Sequence, residues 1–525
     1  MTTRLFAAPR RLGPLLLGAL LVAGGAGCQT YRQQTSQFSQ YARSGSLTEA
    51  VADINRQAEA HRGSKDEIIW RLEQGATLRM AGLADLSLVP HPLRAPDPAP
   101  AGEAATVPLT PLTPDDVHAL YLRQSNAAFD RAEERVDDYE RQARVKVGSE
   151  LGAIFTNQAS LPYRGYAYDK VMLDTYKALN DLHLGRRDAA RVDLNRALQR
   201  QRDAVAENAR RIAETQDAAR QARNGGLQGA GGQSAVYDPD RALTDPRTAA
   251  GLQAALDASL AHLQPYGDYV NPFSVLLDGL FFTALGENGS DWERGRKSFE
   301  RVAGMVPENP YVRADLALAR AVAEGQSAGD LTYVIFETGT GPWRDEVRID
   351  IPTFVVSSRL AYVGASFPRL EFNDDHIGTL AIRAAGQSFS TATVASMDSV
   401  VANDFKNEWP AIVTRTILTT ATKAVAQATL QKQLNDHNDA LGSLLGAVGA
   451  TLVNMGTTIA DTRTWTTLPK EFQYARLATP PDRRLTLTAG AQSRTISLEP
   501  GSINVVYVKS MSSASPLLVA QFVLK

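Results

Sequence analysis

The chain is expected to fold as an α+β protein of more than one domain. An N-terminal helical-repeat solenoid comes first, followed by an antiparallel, sandwich-like β domain with an inserted helical hairpin. Three observations predict this. From about Ser46 to Ala323 the chain is rich in Ala, Leu, Arg and Glu, with apolar residues at helical spacing. After Asp330 the pattern shifts to period two. Between two groups of strand-like segments, Asn403–Asn435 is amphipathic and Ala440–Ala460 carries no charge. At 525 residues the chain is long enough for two or three domains, each with a substantial core.

Residues 1–27 read as a processing signal. Arg4, Arg10 and Arg11 precede an apolar run from Leu12 to Val22, and small residues lead to Cys28. The run is too short and too Gly-rich to remain as a spanning helix. Ala26-Gly27-Cys28 resembles the bacterial lipobox, although Gly25 stands where Leu is usual. That resemblance implies diacylglycerol on Cys28, which becomes the new N-terminus with an added acyl chain, enough for stable membrane attachment. Gln29 is not the Asp associated with inner-membrane retention, so the outer membrane, facing the periplasm, is the expected location. Cys28 is the only cysteine, so the mature chain has no disulfide. Residues 28–44, rich in Gln, Ser and Thr, read as a flexible tether reaching at most roughly 55 Å when extended.

Residues 45–325 carry a repeated pattern: a small residue in a turn, another early in the next helix, a large apolar residue four later and a small one three after that. Small positions let helices approach and the large one fills the gap, as in tetratricopeptide-like helix pairs. Gly185, Ala190, Leu194 and Ala197 fit one copy; Gly279 and Phe282, then Gly295 and Phe299, fit another. Further copies read Gly45, Leu47, Ala50 and Ile54, and Gly75, Leu78 and Gly82 with Ser125, Phe129 and Ala132. A Pro-rich loop, 90–114, interrupts the last pair. Arg187–Arg223 outruns its repeat, ends in a Gly-rich loop over 224–245, and is expected to project or to pair with Pro246–His262.

In residues 330–525, Tyr333–Glu337, Val347–Ile351 and Ile377–Arg383 read as strands, as do Arg484–Thr488, Thr495–Leu498, Ile503–Val508 and Leu518–Leu524. Spacing near ten residues in the last group suits a small antiparallel sandwich. The helical hairpin is assigned to 403–460. Its uncharged second arm contains Gly442, Gly446, Gly449 and Gly456 and reads as a buried helix packed on Thr416–Leu430, with membrane or oligomer contact as the alternative.

Composition and motifs bound the function. Removing residues 1–27 takes away three arginines and leaves 52 basic against 57 acidic residues, a net charge of −5. Such a mixed, mildly acidic surface gives no footprint for nucleic acid. The seven histidines show no metal spacing, and the mature chain has no Cys nucleophile, nucleophile elbow or phosphate-binding Gly loop. Asp374-Asp375-His376 reads as a solvated turn, and Gly339-Thr340-Gly341-Pro342 as a turn between strands. No catalytic or cofactor site is assigned, and the chain is not expected to be an enzyme.

Several motifs point further. Tyr163-Arg-Gly-Tyr166-Ala-Tyr-Asp169, Tyr176–Leu179, Val334–Gly339 with Glu337, Arg348–Pro352 and Ala460–Pro469 with Arg463 and Trp465 resemble a group of bacterial tetratricopeptide-containing lipoproteins. The resemblance covers most of the mature chain. Members are typically encoded beside a lipoprotein that activates penicillin-binding proteins, which implies a role in the cell envelope by association.

The expected function is a non-enzymatic, outer-membrane-anchored scaffold that presents its helical repeats to a protein or peptide partner in cell-envelope or peptidoglycan maintenance. A competing reading makes the β domain a glycan- or peptidoglycan-binding module using Trp343, Trp409 and Trp465. A third makes the chain an assembly factor acting through 440–460.

Overall fold

In the computed structural model, residues 31–90, 112–145, 158–228, 234–264, 266–352, 362–436 and 459–525 are described. The first of these already differs from expectation. Tyr31–Ser44 is a helix, α1, rather than a flexible tether. Its buried residues Tyr31, Thr35, Phe38 and Ala42 recur at helical spacing, so one polar-looking segment carries a narrow apolar stripe that docks on the body. Cys28, the signal segment and residues 91–111 of the Pro-rich loop lie outside the described residues.

The helices continue as α2 (Leu47–Ala60), α3 (Glu67–Leu83), α4 (Pro114–Val145), α5 (Ala167–His183) and α6 (Arg187–Arg223). They are followed by α7 (Pro239–Leu243), α8 (Pro246–Ser259), α9 (Pro272–Leu285), α10 (Gly289–Met305) and α11 (Pro310–Ala323). Start signals are explicit in the last three. The Asn271 side chain accepts from Phe273 N and Ser274 N, Asn288 from Asp291 N, and Asn309 from Tyr311 N and Val312 N. Pro272 and Pro310 occupy first-turn positions where no N–H is needed.

Neighbouring helices pack as pairs, α3 with α4, α5 with α6 and α9 with α10. The small residues named from the sequence sit at the closest approaches. A Cβ on Gly279 would lie 3.1 Å from the Phe299 ring, and one on Gly295 would meet Thr283 N at 2.9 Å. Gly75 abuts Phe129 and Gly82 abuts Leu122. Gly185 turns the chain between α5 and α6 at φ +70°, a conformation that favours glycine. Ala190, Leu194, Ala197, Phe282 and Phe299 are all buried.

The far part of α6 does not pair with 246–262. It lies along α12 (Met397–Asp436), with Asn208 Nδ2 donating to Asn407 O at 3.1 Å. Helix α8 instead packs on a two-stranded ribbon, β4 (Trp343–Pro352) with β5 (Tyr362–Glu371), where Gly251 faces Ile349. Within the 224–245 loop lie a short ribbon, β1 (Leu227–Gln228) with β2 (Ser234–Ala235), and then α7.

The C-terminal half contains two further sheets. One is four-stranded, in the order β11 (Gln492–Ser497), β10 (Arg484–Ala489), β6 (Ala381–Ala384), β7 (Gln387–Ser390). The other has five strands: β13 (Leu518–Val523), β12 (Ile503–Ser510), β3 (Leu331–Thr338), β9 (Glu471–Ala478) and β8 (Ala392–Ser396). Here the purely antiparallel expectation fails, because β12 runs parallel to β3 from Ile503↔Leu331 to Ser510↔Thr338. Strand β3 is buried along its whole length, as a strand covered on both faces must be. Val334 and Phe336 join Leu380, Ile382, Leu485, Leu487, Val506 and Val508 between the sheets. Tyr333 and Ile335 face the helices instead.

The boundary drawn near 325–330 therefore separates two patterns but not two cores. One apolar cluster runs from Tyr31 through the helices to Leu524. The first arm of the hairpin is seen as α12; the second, residues 437–458, lies outside the described residues. No helix among the described residues is long and apolar enough to cross a membrane.

Candidate functional site

Residues singled out by the motifs meet at the seam where the helices press on the sheets. Burial pushes the Asp169 carboxyl up to about 7, against the lowering effect of bonds from the Tyr163 hydroxyl and from Tyr166 N at 2.8 Å. The Arg344 guanidinium lies 3.7 Å from the Tyr166 ring centre and 3.2 Å from Glu408, with both side chains buried. Arg463 reaches Asp66 at 2.7 Å and Asp461 at 2.6 Å and lies over the Tyr163 ring. Trp465 is buried between Phe129 and Tyr176, both 5.8 Å away, and donates to Thr467 Oγ1 at 2.8 Å.

Glu337 accepts from Tyr176 at 2.7 Å, from Tyr507 at 2.6 Å and from Lys509, all within the core. Burial works to raise its carboxyl, but Lys509 and these donors hold it below the usual range. Gly339 turns at φ +71°, where a side chain would strike His376 and Lys470. Pro469 O comes within 3.0 Å of a Cβ built on Gly341, so this turn also is set by close packing.

A cleft of about 170 Å³ opens on this seam between Tyr166, Arg344, Glu408 and Arg463. Its cations are engaged: Arg344 on Glu408, Arg463 on Asp461, Arg211 on Glu207 and Arg210 near Glu214. Arg344 on Glu408, Arg211 also on Glu408 and Arg463 also on Asp66 join separate segments, and cations paired in these ways leave little charge for a ligand. The seam joins α3, α4 and α5 to the sheets.

A different arrangement lies between α6 and α10, over α9. A groove of about 680 Å³ runs there, with Leu194, Leu198 and Val275 among its apolar lining residues. Arg294 is held by Asp278 and Asn195 and sits 3.9 Å over the Phe282 ring. Arg202 and Arg301 also line the groove, and neither is paired with a carboxylate among the described residues. Loss of water beside the groove and the nearby Arg202 charge both lower the pKa of Arg301. The carboxylates that line the groove, Asp278 and Glu293, are taken up by Arg294 and Arg296, so two like charges remain that an incoming acidic group would relieve.

Of the residues assigned to repeats from the sequence, Leu194 lines this groove and Phe282 lies under Arg294, whereas the motif residues frame the seam. Sequence reading missed Arg202, Arg301, Arg344 and Glu408. A signal for the first two was present: Leu194, Leu198 and Arg202 share a helix face, as do Arg294, Lys297 and Arg301. The tryptophans proposed for sugar stacking are less accessible than that reading requires. Trp465 and Trp409 are 1% and 8% exposed, and Arg32 lies 4.7 Å over Trp343. Asp375 of the Asp-Asp-His cluster is held by Arg43 and Ser513. No group of three or more His, Cys, Asp or Glu among the described residues is arranged to hold a metal ion. No known protein family, curated protein or solved structure matches the chain.

Proposed function

We propose that the protein is a lipid-anchored, non-enzymatic scaffold on the periplasmic face of the outer membrane, working in cell-envelope or peptidoglycan maintenance. In this reading its helix pairs form a tetratricopeptide-like array, and the α6–α9–α10 groove takes a partner's peptide bearing acidic side chains. The supporting observation is the pair Arg202 and Arg301, uncompensated beside apolar Leu194, Leu198 and Val275. The lipobox-like Cys28 and the family-like motifs support the anchor and the setting. Apolar contacts give such a groove affinity, while the two guanidinium groups select the sign of the occupant.

The test is fluorescence anisotropy with the full-length protein and two ten-residue peptides sharing one apolar pattern, one carrying Glu and one Lys. The acidic peptide is expected to bind at least tenfold more tightly, with the difference shrinking at high salt and vanishing in the R202E/R301E variant. Equal binding of both peptides, or unchanged binding by the variant, would sink the proposal.

One observation favours a second reading. Trp343 borders a cleft of about 530 Å³ with Ser36, Ser39, Gln40, Thr340 and Asn373, a polar lining whose Arg43 is paired with Asp375 and which suits a glycan once Arg32 moves aside. Sedimentation with purified sacculi decides it. Failure of the full-length protein to co-sediment removes that role.

A further inference from the structure

The docking of α1 has a consequence for how the body meets the membrane. Tyr31 is 7% exposed, its ring lies 5.4 Å from Trp70, and its hydroxyl donates to Glu73 at 3.3 Å. Glu73 also accepts from Thr466 and Thr467, so the start of α1 is locked to both halves of the fold. Only two residues, Gln29 and Thr30, separate Tyr31 from Cys28. Since consecutive Cα atoms are about 3.8 Å apart, Cys28 lies within about 11 Å of Tyr31. A lipid on Cys28 therefore has no long tether.

We infer that the surface around the start of α1 is a phospholipid-headgroup contact face, which fixes how the protein stands on its membrane. The inference rests on the lipid-anchor reading above. Three chain segments converge there. Trp70, which packs on Tyr31, also stacks on His61 at 4.9 Å, at the head of the turn that carries the exposed Arg62, paired with Glu59, and Lys65, whose Nζ donates to Ala159 O. Arg32, 59% exposed, lies 3.9 Å from Asp345. The adjacent Glu346 accepts from Ala460 N at 3.1 Å, next to Ile459, a large apolar residue 41% exposed. Ile459 and Ala460 close the uncharged stretch noted in the sequence, so that stretch rejoins the body on the same side as the anchor. Long cationic side chains and an exposed aliphatic residue around an acylated N-terminus match a headgroup layer: the cations meet phosphates and the apolar residue meets the acyl boundary. The opposite end of α3 is some 20 Å away along the helix axis, where Asp85 pairs with Arg494.

The experiment uses the full lipidated chain in phosphatidylethanolamine/phosphatidylglycerol vesicles containing a headgroup-nitroxide lipid. A bimane fluorophore is placed on Arg62→Cys or on Ser493→Cys, both exposed positions. Quenching at position 62 is expected to exceed that at 493 at least threefold. Inserting twenty Gly/Ser residues between Thr30 and Tyr31 should bring the two close to equal, because such a linker spans roughly 25 Å on average. Equal quenching in the uninserted protein, with diacylglycerol confirmed by mass on the N-terminal peptide, overturns the contact face alone. Absence of that mass overturns the anchor reading and this inference with it.

Discussion

The seam and the groove are both rich in charge, yet they use it in opposite ways. At the seam, Arg344, Arg463 and Lys509 are withdrawn from water and each meets a carboxylate, with aromatic rings completing the contact. In the groove, Arg202 and Arg301 face one another's charge with no carboxylate partner among the described residues. Buried pairs of the first kind are costly to break and specify one geometry. Unpaired cations at the second kind of site contribute little to stability and retain their capacity to bind. Charge density alone thus does not tell a packing contact from a surface able to take a ligand; the state of its pairing does.

Four measurements bear on this contrast. The largest effect is expected at Glu337. Changing Glu337→Ala leaves Lys509 buried without its anion, and urea denaturation should show a loss of about 3–5 kcal/mol. A loss under about 1 kcal/mol would reduce the seam to the weight of a surface pair. Next, Gly295→Leu forces a side chain against the α9 backbone at Thr283, where nothing flexible can yield. It should cost about 1–3 kcal/mol in the same assay; a neutral result would mean α9 and α10 separate readily.

The third concerns pH. The carboxyl of Asp169 sits near 7 in the folded chain, above its ordinary value, so between about pH 4 and 7 the folded state binds the extra proton. Stability from this group is therefore greatest at low pH and falls by about 1.4 kcal/mol per pH unit across that window. Asp169→Asn should remove that slope relative to the parent; parallel stability–pH curves would refute it. The smallest effect is expected in the groove, where Arg202→Ala with Arg301→Ala should move stability by no more than about 0.5 kcal/mol. A larger loss would place these arginines with the seam.

Much of the helical packing was legible because it depends on local spacing. Gly279, Gly295, Phe282 and Phe299 announce a close helix crossing in any short window of sequence. The strands Leu331–Thr338 and Ile503–Ser510 were legible as strands, but not their parallel pairing, since alternation records which face a residue shows and not its neighbour. Helix α1 was misread as a tether because only four of its fourteen residues are buried, too narrow a stripe to stand out among Gln and Ser. The seam was legible only as aromatic-containing motifs around Tyr163 and Trp465, without its chemistry. Its partners Glu73, Arg344 and Glu408 come from distant segments that only the fold brings together.

The parallel pairing of β3 with β12 also sets the order in which the molecule can be finished. A chain delivered N-terminus first presents Leu331–Thr338, apolar on both faces, before either neighbour exists. One flank is supplied by residues 471–478 and the other by 503–510. During that interval two open edges are exposed to any passing extended segment, a recognised hazard for misassembly. Holding the emerging polypeptide until its final strands arrive is thus a demand this topology places on the cell that makes it.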